Sequence, residues 1–137
     1  MKVLALDYGS ARTGVAVSDP TGTVARPLAV VERAATDDGI ARLVELAREE
    51  NVERIVVGLP ITLRGQHGAQ AEETERFVEL LRAAVDLPVE SFDERFTTKL
   101  ARQTRRVRAQ RPPVGQDAVA AAHLLSTYLT WKSAHTA

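Results

Sequence analysis

The sequence contains no cysteine and only three histidines. The absence of cysteine excludes disulfide bonds, thiolate zinc sites and cysteine nucleophiles. The histidines lie far apart in the chain, at His67, His123 and His135, and their spacing does not indicate a metal cluster. Carboxylates are therefore the side chains in which catalytic or metal-binding chemistry is to be sought.

Long apolar runs are also absent, and no stretch approaches the length needed to cross a bilayer. The chain begins with a predicted strand rather than with a charged segment and an apolar signal region. These two features predict a cytoplasmic protein that makes no contact with membranes.

Aromatic residues are few: one tryptophan, two tyrosines and three phenylalanines. Surfaces that stack on single-stranded nucleic acids usually cluster such rings. Tyr128 and Trp131 are therefore predicted to close the core near the C-terminus rather than to form a stacking platform.

The remaining composition is that of an ordinary globular protein, with 45% hydrophobic and 26% charged residues. A chain of 137 residues can bury the core of one domain but is too short for two. We therefore expect a single domain that spans residues 1–137.

The first predicted strand carries a carboxylate at its end. Residues 3–6 are all apolar, which is typical of a strand buried on both faces. Asp7 follows directly, and an ionised carboxylate there is costly to desolvate unless cations or hydrogen-bond donors compensate it. Gly9 and Gly14 bracket a short polar loop that can fold over this carboxylate. Asp7 is the first candidate functional residue, although Asp-x-Gly between two strands is also a common hairpin turn.

Hydrophobic periodicity predicts the order of the later elements. Three strands form an antiparallel meander, and Pro27 suits the third of them to a sheet edge. Helices then alternate with two short apolar strands of the kind found in parallel sheets. The predicted strands after the first are 15–18, 24–31, 54–58 and 88–92, and the predicted helices are 39–50, 70–85, one from Thr97 and one from Gln116. The predicted fold is α/β: a mixed five-stranded sheet, with three antiparallel and two parallel strands, and helices on both faces.

The formal net charge is zero, but the charges are segregated along the chain. No acidic residue lies between Glu94 and Asp117, whereas this interval holds seven basic residues: Arg95, Lys99, Arg102, Arg105, Arg106, Arg108 and Arg111. Such a run is either a solvated helix face or a stripe that binds phosphates. In the second interpretation, a carboxylate flanks the phosphate-binding stripe at each end, Glu94 at one and Asp117 at the other.

Three acidic residues occupy comparable positions. Asp7 ends the first strand, Glu94 follows the fifth, and Asp117 lies in the first turn of the last helix. Carboxylates without histidine or cysteine suit a hard divalent ion, Mg²⁺ or Mn²⁺. Two such ions about 3.5–4 Å apart can activate water and stabilise the leaving oxygen of a phosphodiester.

Four motifs, in this order and at this spacing, resemble those of the YqgF/RuvX family. They are Leu6-Asp7-Tyr8-Gly9 with Gly14-Val15-Ala16-Val17-Ser18-Asp19-Pro20, then Val57-Gly58-Leu59-Pro60 with Gly65 and Gly68, then Asp93-Glu94-Arg95-Phe96-Thr97-Thr98, and Asp117-Ala118 with Ala121. The match covers nearly the whole chain and is more specific than any one motif. The resemblance implies a RuvC-like domain of the ribonuclease H-like fold.

The resemblance also implies which residues perform the chemistry. Asp7, Glu94 and Asp117 would be both the metal ligands and the catalytic acids, with Asp93 as a neighbour. The implied enzyme is a hydrolase: a nuclease, similar to Holliday junction resolvases, that uses Mg²⁺ or Mn²⁺ and matures the 5′ end of pre-16S rRNA during ribosome biogenesis.

Basic residues near these acids are candidate substrate contacts. They are Arg12, Arg95, Lys99 and Arg102, whose side chains can bind phosphates. The expected partner is nucleic acid, structured RNA or branched DNA, and the protein is expected to be a monomer or a weak homodimer. Thr62, Arg64 and Ala118 depart from residues common in the family, and these departures concern substrate preference rather than the three acids.

Three other functions remain open at this stage. One is a resolvase for branched DNA, and another is a non-catalytic RNA-binding factor for ribosome assembly. The third is an actin-like ATPase or sugar kinase, since Asp7-x-Gly9 also resembles their phosphate loop. Those proteins need a second similar domain, which disfavours the third function for a chain of this length.

Overall fold

The structure is a computed structural model that describes residues 1–59, 68–93 and 116–135. The described elements are β1 (Val3–Asp7), β2 (Arg12–Ser18), β3 (Ala25–Glu32), α1 (Asp37–Glu49), β4 (Arg54–Leu59), α2 (Ala69–Ala84), β5 (Val89–Asp93) and α3 (Gln116–Ala134). In the described part of the chain, no helix combines the length and the apolar character required to cross a membrane.

The strands form one mixed five-stranded sheet in the order β3-β2-β1-β4-β5. Strands β1, β2 and β3 pair antiparallel as a meander, and β1, β4 and β5 pair parallel. The predicted mixed sheet is therefore confirmed, with β1 in its centre. Pro27 lies in the edge strand β3, as predicted, and its ladder partner Ala16 adjoins an irregularity in the pairing with β2.

The two faces of the sheet are covered by different helices. Leu4 and Leu6 of β1, together with Tyr8 just after it, belong to a core shared with α1 and α2. Val3 and Ala5 alternate with them and belong to a second core with α3. Because successive strand residues point to opposite faces, β1 contributes to both cores, which explains why its apolar residues do not alternate with polar ones.

Two elements begin earlier in the structure than the sequence predicts. Strand β2 begins at Arg12 rather than Val15, because Arg12 and Thr13 pair with Glu32 and Val31 of β3. The sequence predicts that Asp37 or Asp38 caps a helix from Gly39, but α1 begins at Asp37 and its N-cap is Thr36, whose side chain accepts a hydrogen bond from the Gly39 N–H. The predicted helix from Thr97 and the arginine-rich segment lie outside the described residues.

A polar network ties α3 to the sheet at the edge strand β5. The Tyr128 hydroxyl donates to Glu90 Oε1 over 2.5 Å, and Arg54 forms an ion pair with the same carboxylate. Burial acts to raise the pKa of Glu90, but the hydrogen bonds from Tyr128 and Arg54 outweigh it, so the pKa is lowered. Tyr128 is fully buried and packs edge-on against Phe92, which confirms its predicted role in closing the core.

The two tyrosines of the chain generate a prediction about alkaline pH. Burial, and then a hydrogen bond to a carboxylate, raises the pKa of Tyr8 and of Tyr128 to about 12. In the unfolded chain both ionise near pH 10. The folded state therefore retains these protons longer, and its stability should fall as the pH rises from about 10 to about 12.

Phenolate absorbance measured against pH tests this prediction. In the native protein both tyrosines should titrate about two pH units higher than in the denatured chain. A native titration step near pH 10 would show that at least one hydroxyl lacks its described environment.

Candidate active site at the end of the first strand

Asp7 lies at the carboxyl end of the central strand, on the face covered by α3. Its antiparallel partner across β1 and β2 is Gly14, just as Ala5 pairs with Ala16. Directly paired strand residues share a face, and Ala5 and Ala16 both belong to the core under α3. Asp7 is partly buried, so its carboxylate lies at the boundary between this core and solvent.

Asp117 comes to the same place because α3 begins directly above Gly14. A Cβ atom on Gly14 would stand 1.7 Å from the carbonyl oxygen of Asp117 and 2.9 Å from the amide nitrogen of Ala118. Only a residue without a side chain allows this approach. The first turn of α3 is thus seated on the residue that pairs with Asp7, which brings the two acids to one end of one face.

Arg12 completes the described part of the site. It lies two residues before Gly14 in β2, so the pleat of the strand places it on the same face. Its Nε lies 3.2 Å from Asp117 Oδ2, while 65% of the Arg12 side chain and 41% of the Asp117 side chain are exposed. The candidate site therefore contains two carboxylates and one guanidinium open to solvent.

The loop between Asp7 and Arg12 is held tightly. A Cβ atom on Gly9 would stand 2.5 Å from the Arg12 carbonyl oxygen. The Ala11 carbonyl accepts a hydrogen bond of 3.0 Å from the Arg33 N–H. These contacts fix the course of the chain from Asp7 to Arg12, and hence the separation of the two residues.

Tyr8 anchors Asp7 from the opposite side of the sheet. Its ring stacks on Phe77 of α2 at a centroid distance of 4.5 Å, and its hydroxyl donates to Glu73 Oε2 over 2.6 Å. Because neighbouring residues in a strand point to opposite faces, the sequence predicts that Tyr8 packs on the face opposite to Asp7, and its place in the core with α2 confirms this. The sequence does not identify Glu73 as this partner, because no local pattern distinguishes one glutamate of an acidic helix as the acceptor for a tyrosine 65 residues away.

Asp19 serves the turn between β2 and β3. Its Oδ1 accepts from the N–H groups of Thr23 and Val24 at 2.8 and 3.0 Å, and its Oδ2 accepts from the Thr21 hydroxyl. The Thr21 hydrogen bond and then the two backbone donors lower the pKa of Asp19. The position of Asp19 directly before Pro20 predicts a turn residue, and these hydrogen bonds confirm it.

The remaining predicted site residues divide into two groups. Asp93 ends β5 next to Phe92, whose side chain lies in the core under α3, so alternation places Asp93 on the opposite face from Asp7. Glu94, Arg95, Lys99 and Arg102 lie outside the described residues, so their assignments stay predictions.

The described part of the site offers carboxylate oxygens, which a hard divalent cation prefers, but they come from two residues rather than three. Asp7 and Asp117 offer carboxylate oxygens, the ligands that Mg²⁺ and Mn²⁺ prefer. Within residues 1–59, 68–93 and 116–135, no group of three histidine, aspartate or glutamate side chains is close enough to hold a metal ion. A third carboxylate would have to come from elsewhere, and Glu94 directly follows the end of β5.

Solved structures show which fold this is. RuvC of T. thermophilus, in complex with a Holliday junction substrate, superposes with a TM-score of 0.68, covering 99% of this chain and 97% of that one at 17% identity. The yeast mitochondrial Holliday junction resolvase gives a TM-score of 0.55 over 96% of this chain and 78% of its own, at 12% identity. These similarities concern the fold alone and confirm the predicted ribonuclease H-like architecture.

Sequence comparison is more specific. A protein of Chloroflexus aurantiacus is 43% identical over 130 residues, covering 93% of this chain and 85% of that protein. One from Moorella thermoacetica is 41% identical over 136 residues, 94% of each chain. Both bear the name "Putative pre-16S rRNA nuclease". The model of the family described as "RuvX: Holliday junction resolvase" matches residues 1–131, and the chain therefore belongs to the RuvX family.

Proposed function

We propose that the protein is a metal-dependent nuclease that hydrolyses phosphodiester bonds in structured RNA, with the 5′ end of pre-16S rRNA as its substrate. One observation carries the proposal: the backbone of Asp117 packs directly against Gly14, the strand partner of Asp7. The relatives of the chain are named as putative nucleases for that RNA. Two acids at the carboxyl end of a central strand offer oxygen ligands beside a solvent-exposed arginine.

Each site residue has a role in this proposal. Asp7, Glu94 and Asp117 hold divalent cations, whereas Asp93, on the opposite face from Asp7, is given no role in holding them. Bound Mg²⁺ or Mn²⁺ would activate the attacking water and stabilise the negative charge on the leaving oxygen, and two ions could divide these two tasks. Arg12, Arg95, Lys99 and Arg102 bind substrate phosphates. The side chains under α3 exclude water from the inner side of the site, since Ala5, Ala16 and Ala121 are fully buried.

Branched DNA is the second candidate substrate. The family description names a Holliday junction resolvase, and the fold matches a resolvase solved with such a junction. Resolution of a junction requires two sites, and thus a dimer, whereas cleavage of one RNA strand requires one.

We propose a single domain over residues 1–137, located in the cytoplasm, that acts as a monomer or a weak homodimer.

The Asp7→Asn substitution tests the proposed chemistry. Asparagine keeps the shape of the side chain but removes the charge that holds a divalent cation. We expect loss of cleavage by at least about 100-fold, the size of effect seen when one group that stabilises transition-state charge is removed. The measurement is cleavage of a precursor fragment containing the 5′ end of 16S rRNA, with Mg²⁺, with Mn²⁺ and with a chelator, beside a DNA junction.

Asp38→Asn provides the matched control for this experiment. Asp38 is exposed in the first turn of α1, on the other side of the sheet from Asp7. The Asp38→Asn variant should therefore cleave as fast as the wild type. Cleavage of the junction but not of the RNA would favour the resolvase. Full activity of Asp7→Asn would contradict the proposal, and so would the absence of metal-dependent cleavage of either substrate by the wild type. If the wild type binds the RNA without cleaving it, the protein is a non-catalytic assembly factor.

Gly14→Ala tests whether the approach of α3 positions Asp117. The added methyl group would overlap the Asp117 carbonyl oxygen, so the start of α3 must move. We expect a loss of about 1–3 kcal/mol in the free energy of unfolding, as for other overpacked sites, together with loss of cleavage. Chemical denaturation and the cleavage assay measure the two effects.

Gly68→Ala is the control for Gly14→Ala, because no atom of the residues that the structure describes lies within 4 Å of a Cβ atom at Gly68. This variant should retain stability to within about 0.5 kcal/mol. A Gly14→Ala protein with unchanged stability and activity would show that α3 does not depend on this contact.

A further inference from the structure

The ion pair between Arg12 and Asp117 joins two residues that the proposed function assigns to different ligands. Asp117 would hold a cation, whereas Arg12 would hold a phosphate. In the structure the two hold each other, with Arg12 Nε at 3.2 Å from Asp117 Oδ2. The carboxylate cannot fully serve the guanidinium and a divalent ion at the same time, because both cations compete for the same oxygens.

The exposure of this pair makes it easy to exchange. With 65% of Arg12 and 41% of Asp117 accessible to water, solvent screens the attraction strongly. The pair therefore resists a competing divalent ion only weakly. By contrast, the Arg54–Glu90 pair is more buried, and the Tyr128 hydroxyl holds the same carboxylate, so that pair is built to persist.

The backbone on both sides of the Arg12–Asp117 pair is fixed. Gly14 holds the first turn of α3 in place, and the close contact between Gly9 and the Arg12 carbonyl holds the start of β2. Exchange of partners therefore requires only rotation of the exposed Arg12 side chain. The guanidinium would remain beside the site after it leaves Asp117, where a substrate phosphate would lie.

We infer that Arg12 is an exchangeable counter-ion: it neutralises Asp117 until a divalent cation binds and is then released to bind a phosphate of the nucleic acid. The inference rests on the proposed function for the identity of the phosphate. It makes metal binding and substrate binding cooperative, because the cation that occupies Asp117 also frees the arginine that the substrate needs.

The first test measures binding of Mn²⁺ alone to the whole chain by calorimetry. Arg12→Gln removes the competing cation and should raise the Mn²⁺ affinity about 2- to 5-fold, the range expected from the strength of an exposed ion pair. Arg26→Gln is the matched control, because Arg26 also has an exposed side chain and lies 3.2 Å from a carboxylate, that of Glu50, at the end of β3 far from the site. Its Mn²⁺ affinity should equal that of the wild type.

The second test follows the Arg12 side chain directly. Addition of Mg²⁺ should shift the Nε–H NMR signal of Arg12, identified by its absence in Arg12→Lys, while the signal of Arg26 stays in place. The shift should follow the same titration curve as metal binding. This readout separates a released side chain from a general effect of one positive charge on cation affinity.

The third test uses an RNA hairpin as probe, with Ca²⁺ or with a chelator. Each phosphate contact contributes about one unit to the slope of log affinity against log salt concentration. With Ca²⁺, Arg12→Gln should lower this slope by about one relative to the wild type. With chelator the two slopes should agree, because Arg12 is then bound to Asp117.

The outcomes distinguish this inference from the proposed function. An unchanged Mn²⁺ affinity in Arg12→Gln, or an Arg12 signal that does not respond while the metal binds, would overturn the exchange even if Asp7-dependent cleavage occurs. Conversely, exchange seen in the first two tests without cleavage of RNA or DNA would support the inference and contradict the nuclease.

Discussion

The contact between Gly14 and the start of α3 is the constraint on which the site depends. A carbonyl oxygen that stands where a Cβ atom would be leaves no freedom in how the helix meets the sheet. Helix α3 packs on the sheet through small, fully buried residues, Ala118 and Ala121, and farther along through the larger Tyr128.

The two ends of α3 are held by different kinds of interaction. At its start the contact is steric, and the nearby charges are exposed and weakly paired. Farther along, the buried Tyr128 hydroxyl and Arg54 share the Glu90 carboxylate, and the Phe92 and Trp131 rings pack around it. A buried and satisfied polar network fixes orientation, whereas an exposed ion pair can change partners at little cost. Stability and ligand exchange are thus separated along one helix.

The opposite face of the sheet supports the same strand end in another way. Tyr8 stacks on Phe77 and donates to Glu73, so the residue next to Asp7 is fixed by α2 while Asp7 itself faces α3. Because neighbours in a strand point to opposite faces, one residue can be anchored in a core while the next remains accessible to ligands. The central position of β1 makes this division possible, since it is covered on both sides.

The amino-acid sequence by itself determined the sheet type, the edge position of β3, the two-sided burial of β1, and the roles of Asp19, Tyr8 and Tyr128, because each follows from periodicity or turn chemistry within a short stretch. It also indicated Asp7 and Asp117 as candidates. Only the tertiary structure decided that Arg12 belongs to a strand and pairs with Asp117, and that Gly14 receives a helix backbone. These facts depend on contacts between residues far apart in the chain, such as positions 14 and 117, and no local pattern records which distant backbone will approach a glycine.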